Sequence, residues 1–386
     1  MIQLSRLLSL VVAVGVCMTI TGCWSATEVQ NASYAKAIGI DYKDNKFIIY
    51  VQLLDFSNIA KSEAGGKANE KAIVWVGKGK GETLVSAITD LYKTAQYRIS
   101  WGHVSAIILS EAAVYAHGAK ISDMINRYPE IRYNAWIYGT RSPMEKVLAT
   151  TPFFKLSPLA SIIHDPTGNY KQSSLFPPVL FFKYIAKSKE TSATSYLPSL
   201  GINSVQWAES DTKMPMLMIN GAFFEYGEQA KGFIPRAKLA GYHWLVPNMN
   251  SSPLVVKKDG KIYAELSLRS LDVKIIPTVS GQEALFHIKA KYKAGMFEYL
   301  IDTPYKETTQ IAEELIKKEI MDTYKEGLKI GVDLFELGHV LRLKQPVLWK
   351  KLSNNGKQLV INSNSIKSID IQVNIPYNGK FKRQAE

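Results

Sequence analysis

Residues 72–109 read AIVWVGKGKGETLVSAITDLYKTAQYRISWGHVSAIIL, and this stretch decides the fold of the first half of the chain. Its first five residues, 72–76, have the apolar composition of a strand, and 104–109 form a second apolar run of strand length. Between them, residues 81–98 place apolar side chains at helical spacing. This order predicts an α/β layer arrangement, because a helix between two strands covers a face of the sheet that they build.

The same alternation extends in both directions from this stretch. Residues 47–53 alternate apolar and polar side chains, as a half-buried strand does, and residues 133–138 predict another strand. The tetrapeptide Ser142-Pro143-Met144-Glu145 has the pattern of a capping box with proline at the first helical position. We therefore expect one mixed layer that ends near residue 151.

The second half of the chain begins with a weak pattern and ends with a strong one. Prolines interrupt residues 151–199, which predicts helical turns and a connecting segment. The pair Asp259-Gly260 is typical of a hairpin turn. Long elements follow it: strands at 266–276 and 284–292, a long helix capped by Thr303 and Pro304, and a closing strand at 366–375.

The N-terminus has the anatomy of a secretory signal. Arg6 precedes a mostly apolar run from Leu7 to Ile20, and Ile20-Thr21-Gly22-Cys23 ends it with small residues and a cysteine. This ending is similar to a bacterial lipobox, which predicts cleavage between Gly22 and Cys23 and a diacylglyceryl group on the Cys23 sulfur. Two alternatives stay open. They are an uncleaved anchor, for which the run is short, and a plain secretory signal with an incidental cysteine.

Composition limits the chemistry that the exported body can do. Removal of residues 1–22 from the 386 leaves 364, enough for two or three domains. The chain has two cysteines, Cys17 within the signal and Cys23, so no free thiol remains for a disulfide, a metal site or a nucleophile. The net charge of +13 favours an anionic membrane surface as partner. We expect no nucleic-acid binding, because the basic residues are scattered and no binding motif occurs.

No pattern in the chain argues for catalysis, a cofactor or a metal. The six histidines form no HxxxH or HxH pair, and His103 is best interpreted as a structural residue beside a strand. Residues 77–81, GKGKG, match no phosphate-binding loop and are expected to form a flexible basic turn between strand and helix. Asp41 and Asp333 are the acids that an acid–base mechanism would need, but nothing in the sequence brings them together.

Taken in order, several segments resemble the Ger(x)C family, the C-subunit lipoproteins of spore germinant receptors. They run through most of the mature chain, although Ser25 stands where the family usually has aspartate. The matching segments are Gly22-Cys23-Trp24 with Glu28, Gly39-Ile40-Asp41, Gly81-Glu82-Thr83, Trp101-Gly102-His103-Val104, Asn220-Gly221-Ala222-Phe223-Phe224, Leu239-Ala240-Gly241, and residues 331–338 (GVDLFELG) with Trp349 downstream.

The resemblance implies an elongated body of several domains with an α+β, or mixed α/β, fold. Each domain would be a mixed β-sheet with flanking helices. We divide the chain into a signal peptide at 1–22, an N-terminal α/β domain with its connecting segment at 23–200, a small middle domain at 201–262, and a C-terminal α/β domain with the long helix at 263–386. This division is an expectation.

The resemblance also implies a function and a place in the cell. The chain would be a lipid-anchored C subunit, held by Cys23 to membrane lipid on the outer face of the spore inner membrane. It would support nutrient-triggered germination by scaffolding or signal coupling with the A and B subunits, without catalysis. The alternative is a lipid-anchored extracytoplasmic solute-binding protein.

Overall fold

A computed structural model describes residues 32–54, 73–172, 176–281 except 248 and 250, 283–301 and 304–377. The described strands are β1 (Ala32–Lys43), β2 (Lys46–Leu54), β3 (Val74–Gly81), β4 (Arg98–Ser100), β5 (Ala106–Ser110), β6 (Trp136–Thr140), β7 (Thr194–Asn203), β8 (Ala208–Glu209), β9 (Thr212–Lys213), β10 (Met216–Tyr226), β11 (Gln229–Pro235), β12 (Ser252–Lys258), β13 (Lys261–Ser280), β14 (Glu283–Tyr299) and β15 (Ile366–Tyr377).

The described α-helices are α1 (Leu84–Tyr92), α2 (Glu111–Asn126), α3 (Met144–Ala149), α4 (Thr167–Gln172), α5 (Phe181–Ser188), α6 (Tyr305–Lys329), α7 (Leu337–Lys344) and α8 (Pro346–Leu352). Short 3₁₀ turns occur at Phe153–Lys155, Pro158–Ala160, Arg236–Lys238 and His243–Leu245.

Most of the first half of the chain builds one large sheet with the strand order β11-β10-β7-β6-β5-β1-β2-β3, in which β4 also pairs with β1. Strands β1, β5, β6 and β7 are parallel to their neighbours in this group. The strand β5 is central, and Ile107, Ile108 and Leu109 are completely buried because layers cover both faces of the sheet. The predicted mixed α+β fold is confirmed.

The segment GKGKG at 77–81 is part of edge strand β3 and not the flexible turn that its composition suggested. Strand β3 pairs with β2 from Gly81 opposite Phe47 to Val74 opposite Leu54. Helix α1 packs so closely on this strand that a Cβ added to Gly79 would lie 2.1 Å from the Ala87 carbonyl oxygen. The glycines therefore permit close packing of helix on strand.

Helix α1 is also shorter than the predicted span of 81–98. It begins after Thr83, whose hydroxyl accepts a hydrogen bond from the Ser86 amide in a capping box. It ends at Tyr92, and Arg98 already belongs to β4. Helix α3 lacks the predicted capping box, because Pro143 itself is the N-cap residue and no side chain caps it.

Four strands of the large sheet, β1, β4, β7 and β11, have no counterpart in the sequence prediction. Strand β1 runs through Gly39-Ile40-Asp41, and β7 closes the segment expected to be a connection. Residues 201–262 contribute β10 and β11 to this sheet and β12 to the next one. The division of the chain at 200 and 262 stays a prediction.

The second sheet has the strand order β12-β13-β14-β15. The predicted Asp259-Gly260 hairpin joins β12 to β13, and both residues have positive φ, 50° and 77°. The predicted long helix is α6, which shares one apolar core with this sheet through Ile316 and Ile320. Thr303, its predicted cap, lies outside the described residues.

Candidate functional site

The two sheets meet at a contact that we call the joint, formed by residues 187–195 and strands β10 and β11 on one side and by residues 330–349 on the other. Its apolar part is one buried cluster that includes Phe224 and Ile234 from the large sheet and Val332 and Leu334 from the segment after α6. Because side chains from both halves of the chain are buried in this one cluster, the two halves are packed against each other.

Two ion pairs cross the joint beside this cluster. The Lys187 ammonium pairs with the Glu336 carboxylate, and the Arg342 guanidinium pairs with the Glu190 carboxylate. The Arg342 guanidinium also lies over the Trp349 ring, with its central carbon 5.5 Å from the ring centroid. Such half-buried pairs add little stability each, but they fix the orientation of the two surfaces.

Hydrogen bonds continue the same contact toward the interior. The Ser192 hydroxyl oxygen lies 2.9 Å from Nδ1 of His339, and the Asp333 amide donates to the Thr194 hydroxyl at 3.2 Å. Ser192 and Asp333 are each only 1% exposed. The joint therefore holds polar groups that water does not reach and that depend on partners from the other half of the chain.

The joint contains a buried acid, Asp333, whose pKa differs strongly from its usual value. Its carboxylate accepts a hydrogen bond from the Gly338 amide at 2.6 Å, in the first turn of α7. Burial raises the pKa of Asp333 from 3.8 to about 7, although hydrogen bonds from the Gly338 and Leu337 amides act in the opposite direction. A carboxyl group that changes charge near neutral pH thus lies where the two sheets meet.

A second buried carboxyl group, that of Glu225, lies on β10 next to this region. The Tyr184 hydroxyl donates to it at 2.8 Å and the Ser195 hydroxyl at 3.2 Å. Burial raises the pKa of Glu225, and these two hydrogen bonds partly offset that effect. The network ties helix α5 to β7 and β10 on the face of the large sheet that α2 and α5 cover, which is the face opposite the apolar cluster of the joint.

Elsewhere, a serine and a histidine lie at hydrogen-bond distance but lack the third group of a catalytic triad. The Ser105 hydroxyl oxygen lies 2.7 Å from Nδ1 of His164, and Nε2 of His164 lies 2.9 Å from the Gln52 side-chain oxygen. An orienting carboxylate would occupy the position of Gln52 in a triad. Burial, with a contribution from Lys36, lowers the pKa of His164 to about 3, so this histidine is neutral and structural.

The remaining residues singled out from the sequence have ordinary surroundings. Asp41 accepts hydrogen bonds from the Ser110 hydroxyl and the Tyr42 amide, so its partners differ from those of Asp333. The exposed His103 ring packs edge-on against Tyr34 at 4.9 Å. Cys23 and the predicted cleavage site after Gly22 lie outside the described residues.

The described part of the chain offers neither a metal site nor a membrane-spanning helix. Within it, no group of three histidine, cysteine, aspartate or glutamate side chains is placed to hold a metal ion. Within the same part, no helix combines the length and apolar character required to cross a bilayer.

Sequence reasoning did not find the joint. Residues 331–338 match a family pattern, but the sequence does not show that the Asp333 carboxylate binds the first turn of α7 or that its amide bonds to Thr194 on β7. The local signal for the first of these contacts is an acidic residue shortly before the start of a helix.

These features define a multi-domain mixed α+β protein whose two sheets are joined by a buried, polar contact. Two family models match the chain in succession: the spore germination protein N-terminal domain over residues 25–202, and the spore germination B3/GerAC-like C-terminal model over residues 219–379. The chain therefore belongs to the Ger(x)C family, whose members are C subunits of spore germinant receptors.

Individual relatives agree with this assignment. The chain is 20% identical over 365 residues to spore germination protein KC of Bacillus subtilis (strain 168), covering 87% of each chain. It is 22% identical over 384 residues to spore germination protein YndF of the same organism, covering 87% of this chain and 88% of the relative. The crystal structure of the GerBC protein has the same fold, with a TM-score of 0.51 at 13% identity over 87% of this chain and 96% of that one.

Proposed function

We propose that the mature chain begins at a diacylated Cys23 and acts as the lipid-anchored C subunit of a germinant receptor on the outer face of the spore inner membrane. The observation that carries this proposal is the position of the lipobox. Cys23 lies two residues before the start of the family match at residue 25. The signal is therefore directly attached to a receptor-subunit body.

Lipidation would account for membrane attachment without a spanning helix. Each buried CH₂ group contributes about 0.8 kcal/mol, so two acyl chains hold a protein firmly where one holds it only marginally. Cys23 and Ala32, the first residue of β1, are nine positions apart. A fully extended chain of that length spans at most about 30 Å, which keeps the body close to the bilayer.

Within the receptor, we propose that this subunit scaffolds the A and B subunits or couples their signal through protein contact. Confinement to one membrane raises the effective concentration of the partners, so that modest contact areas suffice. The joint supports this role, because its shared apolar cluster and two ion pairs allow a force on one sheet to move the other. No catalysis is proposed.

The test of the anchor is Cys23→Ala, with Cys17→Ala as matched control. Both substitutions remove a thiol, but Cys17 lies within the signal that is discarded. We expect Cys23→Ala to lose labelling by palmitate, to leave the membrane fraction and to fail in nutrient-triggered germination, while Cys17→Ala behaves as the natural chain. Normal labelling and membrane retention of Cys23→Ala would refute the proposal.

One observation favours the alternative of an extracytoplasmic solute-binding protein. A cavity of about 240 Å³ lies between α1, α2 and the large sheet, with apolar walls that include Ile38, Ile88 and Trp101 and with Arg127 on its lining. Its size admits only a small molecule. Thermal-shift screening with amino acids and sugars separates the two functions, because a solute-binding protein gains stability with its ligand and a scaffold does not.

A further inference from the structure

The second sheet has one covered face and one open face. On β14, Phe286, Ile288 and Tyr292 are completely buried and share a core with α6. Because side chains alternate along a strand, residues 287, 289, 291, 293 and 295 point to the opposite side. We call this side, formed by β13, β14 and β15, the open face.

The middle of the open face is basic. Its cations form three consecutive cross-strand rows with two carboxylates, so that five cations against two carboxylates leave a local charge of +3 in these rows. Three further carboxylates, those of Glu265, Glu298 and Glu283, lie toward the ends of the same face. The five cations are Arg269, Lys274, Lys289, Lys291 and Lys293, and the two carboxylates are Asp272 and Asp370.

The register places like charges directly opposite each other. Arg269 is paired with Lys293, and Lys274 with Lys289. Directly opposed like charges on neighbouring strands destabilise a sheet. The ion pair between Lys274 and Asp272, at 2.9 Å, relieves only part of this repulsion.

Relief of the other cations is incomplete. Asp272 lies opposite Lys291 and Asp370 lies opposite Lys289, but Arg269 and Lys293 have no carboxylate opposite them. Among the described residues, Arg269, Lys289, Lys291 and Lys293 make no ion pair. The sheet thus keeps two directly opposed pairs of cations, and an external anionic surface would replace their repulsion by attraction.

The same face carries a shallow groove beside an exposed aromatic ring. The groove, about 520 Å³ in volume, is lined by Arg269, Lys293, Gly295 and Phe297 among others. Phe297 is 74% exposed, and a Cβ on Gly295 would meet no atom within 4 Å. An aromatic ring next to cations suits the boundary between lipid headgroups and acyl chains.

We propose that the open face binds the surface of a bilayer that contains anionic lipids. Three observations favour lipid over an acidic protein segment. Four of the five cations are lysines, whose ammonium groups act as point charges and do not bind one carboxylate in a fixed two-bond geometry as arginine does. The cations are also spread over a sheet face, and the exposed Phe297 ring can insert into the bilayer. The proposal rests on the anchor at Cys23 for its setting, since the anchor holds the body beside the membrane.

The decisive variant is Lys289→Glu/Lys293→Glu. It replaces both like-charge pairs between β13 and β14 by opposite-charge pairs, while the new carboxylate at position 289 also lies opposite Asp370 on β15, so the folded sheet is expected to keep about its stability. The matched control is Lys306→Glu/Lys325→Glu, which makes the same change of charge at two exposed positions of α6, on the covered side of the sheet.

The assay is cosedimentation with vesicles, using the chain from residue 23 onward with Cys23→Ala so that no acyl chain contributes. Vesicles of phosphatidylglycerol and phosphatidylcholine in equal parts are compared with pure phosphatidylcholine. We expect binding to the anionic vesicles alone and its loss at high salt. Each lysine near an anionic surface contributes about 1 kcal/mol to binding, and about 1.4 kcal/mol corresponds to a tenfold change in affinity. The double variant, which loses two lysines, should therefore bind at least about 30-fold more weakly.

Phe297→Ser provides a second arm that leaves the charge unchanged. Removal of a ring that inserts into the bilayer should weaken binding at least about tenfold. Because the ring is already exposed, the variant is expected to fold normally.

Three results would overturn the proposal: no binding to anionic vesicles, an equal loss in the α6 control, or capture of polyglutamate but not of vesicles through the same lysines. Failure here leaves the anchor untouched, because the assay uses an unlipidated chain. Failure of Cys23 labelling in cells would likewise leave the vesicle result in place.

Discussion

Asp333→Asn tests whether the buried carboxyl group of the joint makes stability depend on pH. Asparagine has nearly the same shape, and its side-chain oxygen can still accept the hydrogen bond from the Gly338 amide, which is 2.6 Å from the aspartate oxygen. The substitution therefore removes the ability to ionise while it keeps the cap of α7. At low pH we expect it to change the free energy of unfolding by less than about 1 kcal/mol.

The magnitude follows from the shifted pKa. Because burial raises the pKa of Asp333 from 3.8 to about 7, the folded chain holds a proton between these values that the unfolded chain has lost. Asp333 thus contributes stability that is fully present below about pH 4 and is lost as the pH rises through about 7. Between about pH 5.5 and about pH 8, this loss amounts to about 2 kcal/mol.

The assay is urea denaturation followed by tryptophan fluorescence at both pH values, for the natural chain and for Asp333→Asn. Groups such as Glu225 titrate in both proteins, so the difference between the two pH dependences isolates Asp333. Asp370→Asn, at an exposed position of β15, is the control and should behave as the natural chain. If the natural chain and Asp333→Asn lose the same free energy between the two pH values, the assignment of a proton to Asp333 near neutrality is wrong.

Two further substitutions test the packing of the large sheet. Gly79→Ala should cost about 1–3 kcal/mol because its Cβ would lie 2.1 Å from the Ala87 carbonyl oxygen, whereas Gly295→Ala, with no atom within 4 Å, should cost almost nothing. Equal losses in the urea denaturation of these two variants would contradict the role given to GKGKG. Tyr184→Phe should cost about 1–3 kcal/mol in the same assay, since it removes the hydrogen bond to the buried Glu225. An unchanged midpoint would show that this carboxyl group does not need the tyrosine.

The joint gives the proposed coupling function a physical basis that the sequence alone lacks. Its two ion pairs, Lys187 with Glu336 and Glu190 with Arg342, connect residues that are well over a hundred positions apart. The membrane binding proposed for the open face would add a second, independent property, a preferred orientation on the bilayer. In this proposal the second sheet orients the body at the membrane, and the joint transmits contact between the two sheets.

The sequence by itself determined those features that depend on neighbouring residues. The Asp259-Gly260 hairpin, the long helix α6 and the strands β2, β13, β14 and β15 follow from turn chemistry and apolar periodicity, which are local. The order of family motifs and the lipobox are also local patterns, and they sufficed to indicate a germinant receptor subunit.

Only the tertiary structure decided where distant residues meet. GKGKG has a loop-like composition, yet a helix packed on it and a partner strand beside it make it a strand. The raised pKa of Asp333 depends on burial, and the two directly opposed pairs of cations on β13 and β14 depend on strand register. Both involve residues that are far apart in the chain. Such properties arise from packing, and no local pattern specifies which surfaces will pack.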